Sequence, residues 1–251
     1  TREHNPLPSH ILVMEQKHKA NLDILILCGG LGTRLKEADH NGPKPMVEIN
    51  GRPFLDILIE YISSFGFRRF ILCAGFKSEI IEDYFCKKND ENTYVISSEN
   101  KPLGTAGGIK NAEAHISSSS FIVLNGDSFC QSNLKEFAEF HYSINASASI
   151  AITTVDDVHE YGSVIINDKQ EITGFNEKSD QIPGRGLVNA GIYIFRKKML
   201  NIFSPERNIS LEHEILPSLV GQGLFGFITK EKLVDIGTPK RLELLRPHFK
   251  L

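Results

Sequence analysis

The chain lacks the features that would tie it to a membrane, a nucleic acid or an oxidising compartment. No apolar stretch approaches the roughly 20 residues that a membrane-crossing helix needs, and the first residues carry no hydrophobic leader region. A soluble, cytoplasmic protein is the expectation. Four cysteines are present, Cys28, Cys73, Cys86 and Cys130, without C-x-x-C spacing. Cys28 and Cys73 close apolar runs that look like buried strands, so reduced core thiols are expected rather than a disulfide framework. Charge of neither sign is gathered into a block: 28 basic side chains stand against 31 acidic ones, for a net charge of -3. That balance excludes nucleic acid and anionic membrane as expected partners. His141, His159 and His213 stand alone, without metal-ligand spacing, and read as ordinary polar positions. With no G-x-S-x-G either, zinc chemistry and serine-hydrolase chemistry have no support. Internal repeats, heptads and low-complexity tracts are missing too.

What is present fits one large core: 251 residues, of which 41% are hydrophobic. From residue 23 onward, short apolar runs alternate with helical patterns. This is the signature of an α/β protein, a Rossmann-like, mostly parallel sheet with helices on both faces. Strands are expected at 24–28, 70–74, 94–97, 121–125 and 149–155, each rich in β-branched or aromatic residues. Helices are expected at 54–65, at 78–85 behind a Ser cap, at 105–115, and at 134–144 behind Asn133. After residue 155 the rhythm changes to strand patterns at 163–166, 172–175 and 187–195 with no long helix between them, which reads as a smaller β-rich region. Helical signals return at 210–220 and 239–245. Residues 1–21 carry Pro6, Pro8 and several His and Lys, and read as an N-terminal extension with no role in catalysis.

Directly after the first strand stands Leu27-Cys28-Gly29-Gly30-Leu31-Gly32-Thr33-Arg34-Leu35. Its glycines let the backbone turn tightly and bring N–H groups against phosphate oxygens, because no Cβ blocks the approach. Arg34 adds a planar cation suited to a triphosphate. The spacing matches neither G-x-G-x-x-G nor a loop ending in G-K-S/T, so a plain strand-to-helix turn is the competing reading. Pro43-Lys44-Pro45-Met46 follows. Its prolines disfavour helix and hold the Lys44 ammonium in an extended loop near the first glycines; a surface lysine is the bland alternative. Residues 103–108 are glycine-rich at a helix start, where bare backbone can approach a flat base or ribose and free N–H groups are on offer. Helix capping with close packing explains that segment as well. Asp127 ends an apolar strand, so its carboxylate should emerge at the carboxyl edge of the sheet, where open α/β sheets bind ligands. A hard oxygen there suits Mg2+ bridging phosphates; an Asp capping the next turn is the alternative.

Taken in order, G-G-x-G-T-R-L, P-K-P-M, Leu103-Gly104-Thr105-Ala106-Gly107-Gly108, Asn125-Gly126-Asp127, Tyr161-Gly162-Ser163-Val164, Glu177-Lys178, Asn189-Ala190-Gly191-Ile192-Tyr193 and Asp235-Ile236-Gly237-Thr238-Pro239 resemble the sugar-1-phosphate nucleotidyltransferase family. The resemblance implies a nucleotidyltransferase domain over 22–251, whose β-rich region binds the sugar. It assigns the nucleotide to Leu27, Gly29, Gly30, Gly32, Thr33, Arg34, Lys44, Gly104 and Thr105. It assigns the sugar phosphate to Gly162, Glu177, Lys178, Asn189 and Gly191, with Glu177 on sugar hydroxyls and Lys178 on the acceptor phosphate. Asp127 and Asp235 would hold Mg2+, and Arg34, Lys44, Asp127, Lys178 and Asp235 form the implied catalytic set. Taken alone, Glu177-Lys178 reads as a solvated surface pair, and Asp235 as a residue before a helix with Pro239 early in it.

The implied reaction joins a nucleoside triphosphate to a sugar 1-phosphate and releases pyrophosphate. The Leu27 to Gly30 start, the 104–110 stretch and the 189–193 strand look most like the branch that transfers guanylyl groups to D-glycero-D-manno-heptose 1-phosphate, making GDP-heptose for bacterial surface polysaccharides. Lys36-Glu37 departs from the Arg-Pro of many relatives, and Leu233-Val234 from their aromatic residue before the last aspartate. A mannose-1-phosphate guanylyltransferase, a uridylyl or thymidylyl enzyme, and a non-catalytic regulatory subunit of the same fold are the alternatives. A homodimer is the assembly expected, although no motif speaks to it.

Overall fold

The computed structural model describes residues 22–30, 42–159, 161–176, 184–204 and 208–236. In chain order the strands are β1 (Asp23–Leu27), β2 (Glu48–Ile49), β3 (Arg52–Pro53), β4 (Arg69–Ala74), β5 (Thr93–Ser98), β6 (Ser120–Asn125), β7 (Ser128–Cys130), β8 (Ala148–Val155), β9 (Ser163–Ile166), β10 (Ile172–Asn176), β11 (Gly186–Arg196), β12 (Leu224–Thr229) and β13 (Leu233–Asp235). The longer helices are α1 (Phe54–Ser64), α2 (Ser78–Phe85), α3 (Gly104–Asn111) and α4 (Leu134–Ser143).

The central sheet runs β12-β8-β11-β6-β1-β4-β5. β5, β4, β1 and β6 pair in parallel, β8 pairs in parallel with β12, and β11 runs antiparallel between β6 and β8. The mostly parallel α/β sheet read from the sequence is thus observed, with one reversed strand. Strand β1 shows why the apolar runs are nearly continuous. Ile24 and Ile26 pack under α1 and α4 with Phe54, Leu58 and Phe137, while Leu25 faces Ala106 and Ile109 of α3 on the opposite side. A strand covered on both faces has no polar side to alternate with. α4 starts at Asn133, whose side chain accepts the N–H groups of Lys135 and Glu136, as its sequence position predicts.

Several expectations are corrected. The reversed β11 lies in the central sheet and not in a separate β-rich unit; among the described residues of that region, the β9–β10 ladder stands apart from the sheet. β12 is a full member of the sheet that the sequence reading passed over. The 105–115 helix starts at Gly104, ends at Asn111 and continues as a 3-10 turn, Glu113–His115. Ser78 is the first helical residue rather than the cap, a place taken by Lys77 in a left-handed conformation. The 210–220 helix opens as a π turn, Leu211–Ile215, and is α-helical only over Leu216–Ser218, where Pro217 has no N–H to return to the preceding turn. Cys28, Cys73 and Cys130 are buried free thiols, but Cys86 is exposed. His141 is no ordinary polar position: it is fully buried, its Nδ1 lies 2.8 Å from Ser149 Oγ, and burial pushes its pKa down to about 4. The helix expected at 239–245 and the extension 1–21 lie outside the described residues. Among those described, no helix is long and apolar enough to cross a membrane.

Candidate active site

A cavity of about 690 Å³ opens where β1, β4, β5 and β6 end, lined by Leu27, Cys73 and Asn125 of the strands and by Gly29, Gly30, Gly75, Phe76 and Glu99 beyond them. This is the carboxyl edge of the parallel strands, the position at which such sheets bind ligands. Lys44, Gly104, Thr105, Asp127 and Glu212 complete the wall together with Asn208.

At the β6 end two motifs distant in sequence meet. Lys44 does not lie in an extended loop; it starts a 3-10 turn, Lys44–Met46, in which Pro45 takes an early position where its missing N–H costs nothing. That turn aims Nζ at Asp127, 2.6 Å from Oδ2, with the lysine side chain 12% exposed and the aspartate 44%. Gly126 donates its N–H to Leu27 O at 3.0 Å, which ties the Asp127 turn to the end of β1. β7 then pairs with β13, so that Asp235 stands opposite Ser128, and Ile236 N–H donates to Asp127 O at 2.9 Å. The two aspartates singled out in the sequence thus come close at the end of this short ladder, Asp235 within it and Asp127 just before it, and of the two only Asp127 lines the cavity.

A second structure spans the other wall. Gly104 has φ +74°, and a Cβ there would lie 2.4 Å from Ile209 O, so only glycine fits this approach. Thr105 Oγ1 donates to Glu212 Oε2 at 3.0 Å and accepts the Leu211 N–H at 2.7 Å, while Ala106 N–H donates to Ile209 O at 3.0 Å. The start of α3 is thus clamped to the 209–212 segment, and its Ala106 N–H is spoken for. Glu212 Oε1 accepts from Tyr193 Oη at 3.2 Å, and Tyr193 Oη accepts from Asn189 Nδ2 at 2.8 Å. Burial and the adjacent Glu212 raise the Tyr193 phenol, which stays protonated and able to donate.

Asn189 and Gly191 sit where β11 bulges. Its register against β8 shifts between Asn189 and Tyr193, and Asn189 Oδ1 accepts the Gly191 N–H at 2.9 Å. A Cβ on Gly191 would fall 3.1 Å from Asn125 Nδ2 and 2.9 Å from Ser128 Oγ, so this bulge presses on the end of β6 beside Asp127. Gly162 is held in the turn before β9 by its N–H to Val158 O at 2.9 Å, and it does not line the cavity. Gly32, Thr33, Arg34, Glu177 and Lys178 lie outside the described residues.

Residues 24–247 match the family described as "Nucleotidyl transferase". The chain belongs to this family. Among its relatives, the D-glycero-alpha-D-manno-heptose 1-phosphate guanylyltransferase of Aneurinibacillus thermoaerophilus is 33% identical over 87% of this chain and 94% of its own length. A mannose-1-phosphate guanylyltransferase of Mycobacterium tuberculosis is 30% identical, and the match spans 62% of that longer protein. The crystal structure of HddC from Yersinia pseudotuberculosis complexed with GMP-PN superposes with a TM-score of 0.80 at 39% identity, covering 92% of this chain and all of that one. As a nucleotidyl transferase the protein is an enzyme of sugar nucleotide synthesis.

Two acidic wall residues escaped the sequence reading. Glu99 follows β5 at the same sheet edge that drew attention to Asp127, and the same rule applied to β5 would have found it. Glu212 carries no such signal, because its partners Thr105 and Tyr193 are remote in sequence.

Proposed function

We propose that the enzyme transfers the guanylyl group of GTP to D-glycero-D-manno-heptose 1-phosphate, giving GDP-heptose and pyrophosphate. The observation that carries this reading is the full-length match to heptose 1-phosphate guanylyltransferases and to HddC, alongside a cavity of nucleotide size at the sheet edge. Mannose 1-phosphate is the second acceptor to consider, since mannose-1-phosphate guanylyltransferases match over a similar stretch of this chain.

In the mechanism, an oxygen of the sugar phosphate attacks the α-phosphorus of GTP, and the bond to the departing pyrophosphate breaks in line. A phosphate monoester is largely dianionic near neutral pH, so no general base is needed, and the protein positions two polyanions and offsets their charge. The bare backbone at Gly29 and Gly30 accepts the triphosphate at the end of β1. Lys44 supplies a cation to the transferring and leaving phosphates. Arg34 adds a second cation on the triphosphate, Lys178 holds the acceptor phosphate and Glu177 the sugar hydroxyls, roles that rest on the family resemblance. Nucleotidyltransferases of this family generally use a divalent metal, and Asp127 with Asp235 would hold Mg2+ here. A carboxylate at the cavity wall, Asp127, with a second one, Asp235, on the strand beside it suits an ion that takes one or two protein ligands and completes its shell with phosphate oxygens and water. When bound, it would neutralise phosphate charge and polarise the α-phosphoryl group. Assembly as a homodimer is part of the same proposal.

The test is pyrophosphate release with five nucleoside triphosphates against the 1-phosphates of D-glycero-D-manno-heptose, mannose and glucose. GTP with the heptose should give the highest kcat/KM. A best rate with UTP or dTTP would overturn the guanylyl assignment, and a best rate with mannose 1-phosphate would reassign the acceptor.

A further inference from the structure

Tyr193 carries a hydroxyl where the core needs only a ring. Its side chain is fully buried, and its ring stacks at 6.2 Å on Phe195, two residues along the same face of β11, where a phenylalanine fills the same kind of space. Burying a hydroxyl is costly unless it is paired, and this one meets groups from three places in the chain. It donates to Glu212 Oε1 and accepts from Asn189 Nδ2, while Asn125 at the end of β6 presents its amide to the same oxygen. Glu212 is held in turn by hydroxyls, since Thr105 Oγ1 donates to its Oε2 at 3.0 Å and Ser210 Oγ at 3.3 Å. Among the described residues no cation pairs with Glu212.

The direction of each bond follows from the carboxylate. A carboxylate can only accept, so the phenol proton is committed to Glu212, and Oη offers only lone pairs to the two asparagines. Both amides must then turn Nδ2 toward Tyr193. Asn189 Oδ1 is left to accept the Gly191 N–H, which closes the bulge of β11. Asn125 Oδ1 is buried and has no partner among the described residues; an amide turned the other way would set its oxygen against Oη. The bulge so fixed packs against Asn125 and Ser128, the residues on either side of Gly126-Asp127, and Gly126 ties that turn to the end of β1.

We propose that Tyr193 is a positioning residue for nucleotidyl transfer: its hydroxyl, aimed by Glu212, sets the amides of Asn125 and Asn189 and so holds the β11 bulge against the turn that carries Asp127. Tyr193 itself does not line the cavity, whereas Asn125, Asp127 and Glu212 do. Through Thr105 the same chain of hydrogen bonds reaches the start of α3, so the two walls share one set of contacts. What Tyr193 governs is the transfer step rather than capture of the triphosphate, because a misplacement of about 1 Å at a reacting centre can cost on the order of a hundredfold in rate. This rests on the mechanism above, with Asp127 at the reacting phosphates, and adds to it a residue behind the cavity wall.

The experiment compares the wild type with Tyr193→Phe, Glu212→Gln and the double variant. Calorimetric binding of GTP without acceptor counts the folded sites and gives Kd, and pyrophosphate release at saturating substrates then gives kcat per site. Partial loss of folded protein therefore does not enter the result. Tyr193→Phe should lower kcat per site by roughly ten- to hundredfold while Kd for GTP stays within about twofold. Glu212→Gln should lower it by a similar factor, because its amide can donate toward Oη and release the phenol proton, and the double variant should lose little more than the worse single one. A kcat per site that Tyr193→Phe leaves unchanged, a loss that appears in Kd alone, or losses that multiply in the double variant would overturn the assignment. Should another triphosphate and acceptor serve the wild type best, that pair takes the place of GTP and the heptose; the substrate reading is then revised and this test stands.

Discussion

At the β6 end of the cavity a lysine and a carboxylate face each other at 2.6 Å, whereas at the β5 end one carboxylate sits among three glycines with no cation paired to it among the described residues. The first arrangement can respond to charge that moves during a reaction. The second can only accept donors that are already in place. The difference teaches that one sheet edge holds two kinds of carboxylate: at the β6 end a charge balanced by a lysine, where the phosphates are proposed to meet, and three strands away a carboxylate held by backbone alone.

The contrast can be tested by removing one group at a time. Lys44→Ala should lower kcat by roughly ten- to hundredfold, the loss of a charge-assisted contact that strengthens as pyrophosphate departs. Steady-state kinetics checks this, and a loss confined to KM would make Lys44 a uniform binder instead. A smaller effect is expected from the clamp that joins the walls. Thr105→Val keeps the shape but removes the hydroxyl that bridges Leu211 and Glu212, leaving a buried N–H unpaired at a cost of about 2 kcal/mol, or a Tm lower by roughly 4–8 °C. Both ends should loosen together, so the KM for GTP should rise and kcat should fall modestly in parallel. Thermal melts and the same kinetics test it, and a shift in one without the other would mean that the clamp serves a single end.

The frame of the molecule was legible where burial on two faces leaves an unbroken apolar run. β1, β4 and β6 fall within a residue of their expected bounds, and α2 spans the residues expected of it. What escaped has physical causes. β12 contains Gly226, which weakens a strand signal, yet glycine belongs there because a Cβ would come 2.7 Å from Ile152 Cδ1 of the neighbouring strand. β7 and β13 are three residues each, too short for any periodicity, although they bring Asp235 beside Asp127. The glycine-rich segments were readable as close approaches of backbone, but not what approaches them: Gly104 meets the carbonyl of Ile209, and Gly108 meets the carboxylate of Glu99. Lys44 and Asp127 were each visible as chemistry, while their contact belongs to tertiary structure alone.

The proposed metal site stands on Asp127, which lines the cavity, and on Asp235, which lies beside it on β13. If Asp127 and Asp235 hold one metal ion, they act as a unit, and a double-mutant cycle on kcat against magnesium concentration reads that coupling. Asp127→Asn or Asp235→Asn should each remove about 3 kcal/mol of transition-state stabilisation, on the order of a hundredfold in rate, and the double variant should lose little more than either alone. Additive losses, with a magnesium dependence unchanged from the wild type in each single variant, would contradict the shared site and the mechanism built on it.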